Sequence, residues 1–166
     1  WEAIEEFPPY ELNIDNGKTA FNTPFKNGKT YASCFRNDGD GIKQDYPYYD
    51  SATGKVVTVE SAINECRSKN GEEPLKWQKG EIADISAYMA YTSRGNKTNV
   101  VVPGDEGAMA AYTRGKNHFY AKRGQLNMSC ADCHRSNAGN RIRADLLSPA
   151  LGHTTHFPVY RSKWGG

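Results

Sequence analysis

The feature that most constrains this chain is Cys130-Ala-Asp-Cys133-His134. Two thiols at this spacing can each add to one vinyl group of a single porphyrin. The histidine that follows is placed to take the iron from the proximal side, so the pattern reads as a c-type haem attachment motif. A bare Cys-x-x-Cys would be open to other chemistry. A structural zinc site wants a second ligand pair at matching spacing, and none is visible. A redox dithiol expects a βαβ context and does not need the histidine. The motif therefore predicts one covalent haem c on Cys130 and Cys133, with His134 as an axial ligand of the iron. A chain of 166 residues with 37% apolar content gains from such a buried group.

Thioether formation to haem takes place outside the bacterial cytoplasm, so the motif also predicts an exported, periplasmic protein. The chain starts at Trp1 with no methionine or signal-like stretch, which reads as a processed start. No apolar run approaches the roughly 20 residues that span a bilayer. An oxidising compartment permits disulfides. Cys34 and Cys66 are the remaining cysteines, and a bond between them would contribute on the order of 3–4 kcal/mol in the chain-entropy model. Two buried free thiols, or one of the two as a haem ligand, are the alternatives.

Charge is distributed unevenly. Residues 1–104 hold 12 Lys/Arg and 15 Asp/Glu, whereas residues 105–166 hold 9 and 4. The haem half is thus net positive, without the dense basic run of a nucleic-acid binder. A basic surface around a cofactor suits anions or an acidic partner.

Along the chain, Pro8-Pro9, Asn16-Gly17 and Asn27-Gly28 predict a turn-rich start over residues 1–28. Asn37-Asp-Gly-Asp-Gly41 lacks the closing glutamate of a calcium loop and reads as a plain loop. Thr58 is a good N-cap, and Val59, Ala62, Ile63 and Cys66 fall on one face of the helix that follows. A second helix is expected over about Glu81–Tyr91, with Ile82, Ile85 and Met89 on one stripe and Met89 as core filler. A third is expected over about Glu106–Arg123, with Ala108, Tyr112, Gly115 and Phe119 facing one way and Gly124 ending it. A helix of that kind followed by Cys-x-x-Cys-His is the opening of a class I cytochrome c domain.

Such a domain closes with a helix that packs across its first one. Ile85-Ser-Ala-Tyr-Met-Ala-Tyr91 looks like a closing helix, yet it precedes the haem motif. The fold class expected is therefore mainly α, with two tandem class I cytochrome c-like domains. The first, 1–97, lacks haem. The second, 98–166, carries it and has no closing helix before Gly166, which predicts a C-terminal part beyond these residues.

The chain resembles the SoxA family, the larger cytochrome subunit of the SoxAX complex of sulfur-oxidising bacteria. The resemblance lies in Tyr46-Pro-Tyr-Tyr-Asp50, Gly54-Lys-Val-Val-Thr-Val-Glu60, Ala62-Ile-Asn-Glu-Cys-Arg67 and Asn70-Gly-Glu-Glu-Pro-Leu75. It continues in Ile85-Ser-Ala-Tyr-Met89, in Cys130–His134 and in Thr155-His-Phe-Pro-Val-Tyr-Arg161. Some members carry two haems, and in those a cysteine matching Cys66 ligates the first iron. The first motif is missing here, which implies the one-haem type and pairs Cys66 with Cys34.

The resemblance further implies a haem-dependent L-cysteine S-thiosulfotransferase subunit. Its reaction joins thiosulfate oxidatively to a cysteine of a SoxYZ-type carrier, with a SoxX-type small cytochrome c as partner. The family's catalytic cysteine lies downstream of the haem motif and also supplies the second axial ligand. No cysteine follows Cys133, so it is expected beyond Gly166. The alternative is a simple mono-haem electron-transfer cytochrome. It would draw its sixth ligand from His118, His153, His156 or Met128. Met128 lies too close to Cys130 to swing easily to the distal face, and His118 suits a surface role.

Overall fold

The turn signals near the N-terminus do not keep the chain irregular, because Glu11–Asn22 forms a 12-residue helix, α1. Asn16 and Gly17 are poor helix formers on their own. Packing overrides that preference. A Cβ on Gly17 would lie 1.9 Å from the Asp84 carbonyl oxygen, so the glycine lets the α1 backbone touch another helix directly. Asn13 reinforces the contact by donating its amide to Asp84 Oδ1 at 2.8 Å, and Phe21 buries one turn further on.

The computed structural model describes residues 6–150. They divide into two compact units, one of residues 6–47 and 57–100, the other of 48–56 and 101–150. Four α-helices account for most of the regular structure of the described residues. No helix among these residues is long and apolar enough to cross a membrane.

In the first unit, Val59–Lys69 forms α2. Its start is fixed by a capping box in which Thr58 Oγ1 accepts from the Ser61 amide and Ser61 Oγ accepts from the Thr58 amide. Val59, Ile63 and Cys66 are buried on its inner face. Glu81–Thr92 forms α3, the element that receives Gly17, and it buries Ile82, Ile85, Ser86 and Met89. Each such fully buried aliphatic side chain contributes about 1.5–3 kcal/mol. Phe21, Phe25, Tyr31 and Ile42 complete the core, with Phe25 edge-on to Tyr31 at 4.8 Å between ring centres. Cys34 and Cys66 are joined by a disulfide with a Cα–Cα distance of 5.8 Å.

One polar relay runs through this core. Lys43 Nζ donates to Ser86 Oγ at 2.9 Å, and Ser86 Oγ donates to Glu60 Oε1 at 2.8 Å. Burial pushes the Lys43 amine down to about 8, against the opposing pull of Glu60.

The second unit begins with residues of a short hairpin. Strands β1, Tyr48–Asp50, and β2, Lys55–Val57, pair with each other. Its tip is held by Asp50, which accepts from the Ala52 amide and the Thr53 hydroxyl. Helix α4 spans Glu106–Tyr120 and is N-capped by Asp105, whose Oδ1 accepts from the Ala108 amide at 2.7 Å. Ser51 donates to the other oxygen of Asp105 at 2.7 Å, so the hairpin and the helix start share one carboxylate. Both bonds hold the Asp105 carboxyl below its ordinary range, the Ala108 amide more than Ser51. Tyr49 rests its hydroxyl against Gly107, where a Cβ would come within 2.2 Å of it.

Helix α4 ends three residues earlier than the pattern suggests. Ala121 turns extended, and Arg123 exchanges both backbone hydrogen bonds with Met128. Gly124, at φ +70°, thus serves the tight turn between those two residues instead of stopping the helix.

Candidate functional site

The turn that carries the motif begins at Cys130 and continues as the π-helical stretch Asp132–Ser136. A second capping box sets it. The Ser129 amide donates to Asp132 Oδ2 at 2.7 Å, and the Asp132 amide donates to Ser129 Oγ at 3.1 Å. These two residues close the helix start from both sides and place Cys130 at its first position. Ser129 is buried. The Asp132 carboxyl is held below the usual carboxylate range, chiefly by the Ser129 amide, then by its hydroxyl, with help from Lys122.

Cys130 and Cys133 are half-buried and take no part in the Cys34–Cys66 bond. His134 is held at two points by the segment that returns after the β3–β4 hairpin, Arg141–Ile142 with Asp145–Leu146. Its Nδ1 lies 2.8 Å from the Ser148 carbonyl oxygen, and its own carbonyl accepts from the Ala150 amide at 2.8 Å. A carbonyl can only accept, so Nδ1 carries the proton and the ring's lone pair lies on Nε2. That is the tautomer an iron-ligating imidazole needs, with the backbone fixing its orientation.

The surroundings suit a large apolar group. Among the described residues of this unit, Ala108, Ser129 and Ala131 are the buried ones. Met109, Tyr112, Tyr120, Leu126, Met128 and Ile142 all remain exposed. A unit that leaves so much apolar surface uncovered fits a porphyrin, whose burial would offset it. The residues present therefore fit a c-type haem.

Of the other sequence candidates, His118 and Met128 lie among the described residues. His118 is exposed, with Arg123 Nη1 2.7 Å from its Nε2 and Arg123 Nη2 donating to its carbonyl oxygen. Arg123 also reaches Cys130 Sγ, at 3.5 Å. Met128 is tied by its backbone to Arg123. His153 and His156 lie outside the described residues. Arg114, Lys116, Lys122, Arg123, Arg135, Arg141 and Arg143 are all exposed, and Arg135 stacks on Tyr120 with its guanidinium carbon 5.7 Å from the ring centre. Sequence reasoning missed Ser129 and Asp132, although Ser-x-x-Asp is itself a capping signature. It also missed Ser148, whose part is played by a backbone carbonyl and leaves no residue-type signal.

Comparison with known proteins decides the family. The model of the SoxA/TsdA cytochrome c domain matches residues 16–98, which hold the disulfide and the packing of α1 on α3. The chain belongs to the SoxA/TsdA cytochrome c family. Over 165 residues it is 59% identical to the L-cysteine S-thiosulfotransferase subunit SoxA of Chlorobaculum tepidum, covering 99% of this chain and 57% of that one. The SoxA of Allochromatium vinosum is 54% identical over 166 residues, with 99% and 59% covered. The crystal structure of SoxXA from P. pantotrophus superposes with a TM-score of 0.80 at 34% identity, over 96% of this chain and 60% of that one. The chain thus spans 57–60% of the length of these relatives. Its fold is mainly helical and cytochrome c-like, and a cytochrome c domain implies haem c as the cofactor class.

Proposed function

We propose that the protein is the SoxA-type c-type cytochrome subunit of a periplasmic thiosulfate-oxidising complex, a haem-dependent L-cysteine S-thiosulfotransferase. Its reaction joins thiosulfate to a cysteine of a SoxYZ-type carrier, and a SoxX-type small cytochrome c is its partner. The observation that carries this reading is identity of 54–59%, over nearly the whole chain, to proteins of that name.

The reading assigns one haem to the chain. It divides the chain into a haemless, disulfide-bonded domain at 1–97 and a haem domain at 98–166, with the rest of the haem domain in the part of the relatives' length that this chain does not span. Cys130 and Cys133 hold the porphyrin through thioethers. His134 offers Nε2 to the iron while Ser148 keeps the proton on Nδ1. When bound, such a haem would take up electrons one at a time, and the oxidative joining of thiosulfate to a thiol releases two, to be passed on to the partner cytochrome. The exposed Arg and Lys of the same unit give anionic thiosulfate a favourable field. The cysteine of the transfer step is assigned to the portion of the relatives' length outside this chain.

The test uses the full-length protein with its small cytochrome partner. Thiosulfate is added with and without a carrier thiol, and haem reduction is followed by absorbance. Reduction that depends on both supports the reading. Reduction by a partner cytochrome alone, with no response to thiosulfate and thiol together, would leave a plain electron-transfer cytochrome.

A further inference from the structure

The Cys34–Cys66 bond is unevenly presented. Cys34 is exposed, whereas Cys66 is buried at 2% on the inner face of α2. A thiolate can therefore approach the bond from one side only, at Cys34 Sγ, and the sulfur it expels is the buried one. That sulfur lies in the last turn of α2, where the negative end of the helix dipole disfavours a departing thiolate. A donor at this point changes the balance.

Asn70, the C-cap of α2, supplies it. Its Nδ2 lies 3.4 Å from Cys34 Sγ and 3.7 Å from Cys66 Sγ, and it also donates to the Cys66 carbonyl at 2.9 Å. The amide cannot turn its oxygen to the sulfurs without losing a partner, because Asn27 Nδ2 donates to Asn70 Oδ1 at 2.8 Å. The bond is thus exposed at Cys34, and the Asn70 N–H lies within reach of both sulfurs, where it can follow Cys66 Sγ as that sulfur departs.

We propose that the Cys34–Cys66 disulfide is a thiol-exchange site, opened at Cys34 by a low-molecular-weight thiol, with Asn70 as the hydrogen-bond donor to the departing Cys66 sulfur. In the first step the thiolate forms a bond to Cys34 Sγ and the Cys34–Cys66 bond breaks. The electron pair stays on Cys66 Sγ, which then takes a proton. A second thiol displaces Cys34 from the mixed disulfide. Two thiols are oxidised to one disulfide, and the protein pair is reduced to two thiols. Exposed disulfides are the exchangeable class, whereas buried ones resist reduction. The site lies apart from the Cys130–His134 turn in sequence and does not depend on the thiosulfate reading.

The experiment treats the native, haem-loaded full-length protein with reduced glutathione, quenches with alkylating reagent and maps adducts by peptide mass. The expected result is a glutathione adduct on Cys34, and an exchange rate that falls roughly tenfold in Asn70→Ala through loss of a bond to a charged sulfur. Asn27→Ala, which touches neither sulfur, should slow exchange by a smaller factor. A purely structural role for Asn70 gives the opposite sign, since loosening the α2 end would expose Cys66 and speed exchange. An adduct on Cys66, no adduct while the protein stays folded, or an Asn70→Ala rate equal to or above wild type would each overturn the proposal.

Discussion

Gly17→Ala tests the packing of the first unit at its closest point. The new Cβ would stand 1.9 Å from the Asp84 carbonyl oxygen, 2.4 Å from the Asp84 carbonyl carbon and 3.0 Å from the Ile85 nitrogen. All three are backbone atoms, so no side chain can swing aside. Restoring ordinary van der Waals contact requires α1 and α3 to part by roughly 1–1.5 Å. That opens the seam beside Phe21, Ile82 and Ile85 and stretches the Asn13–Asp84 hydrogen bond. Overpacking costs about 1–3 kcal/mol and the lost bond about 1 kcal/mol, while the better helix propensity of alanine returns about 1 kcal/mol. The net loss of about 1–3 kcal/mol should lower the urea midpoint by roughly 0.5–1.5 M. Unfolding is followed by far-UV circular dichroism with the disulfide intact. Gly115→Ala in α4 is the control, because nothing lies within 4 Å of a Cβ there, and it should be neutral or stabilising by up to about 1 kcal/mol. A Gly17→Ala midpoint equal to or above wild type would refute the argument.

Three further outcomes follow from the same geometry. Between pH 8 and the ordinary lysine value of 10.5 the unfolded chain holds a proton that buried Lys43 does not, so stability should rise with pH across that window. Lys43→Met should lose the rise, and superimposable pH profiles for the two proteins would contradict it. Ser129→Ala removes one half of the capping box at the motif and should weaken that turn by about 1 kcal/mol, read as faster hydrogen exchange at the Asp132 amide. Gly107→Ala presses on the Tyr49 hydroxyl at 2.2 Å, and Tyr49→Phe should recover part of the roughly 1–2 kcal/mol lost. A double-mutant cycle without coupling would show that the contact is absent.

The parts of the fold that can be read from the chain are those where side chains carry the signal. Helices α2 and α3 show apolar residues at helical spacing, and Val59, Ile63, Cys66, Ile82, Ile85 and Met89 are all buried as that spacing requires. Thr58 marks the start of α2 in the residue types themselves. Helix α1 is invisible for the converse reason. Its closest contact is made by a residue with no side chain, and Asn16-Gly17 in isolation reads as a turn. The end of α4 is not legible, because glycine stops helices and also makes tight turns, and only the Arg123–Met128 pairing chooses between them. The expected face of Ala108, Tyr112, Gly115 and Phe119 was likewise only partly covered, since Tyr112 remains exposed. The proposed haem residues Cys130, Cys133 and His134 stand out in the chain because covalent attachment demands fixed spacing. The hold on His134 does not, because it comes from a backbone carbonyl 14 residues away.

The function proposed for this chain rests on Cys130, Cys133 and His134 holding one c-type haem. Its most direct test is the mass of the peptide spanning residues 130–134 from the full-length protein, read together with a pyridine haemochrome assay. The expected result is one haem per chain, bound through two thioethers at Cys130 and Cys133. Unmodified thiols on that peptide, or a second covalent haem elsewhere on the chain, would contradict it.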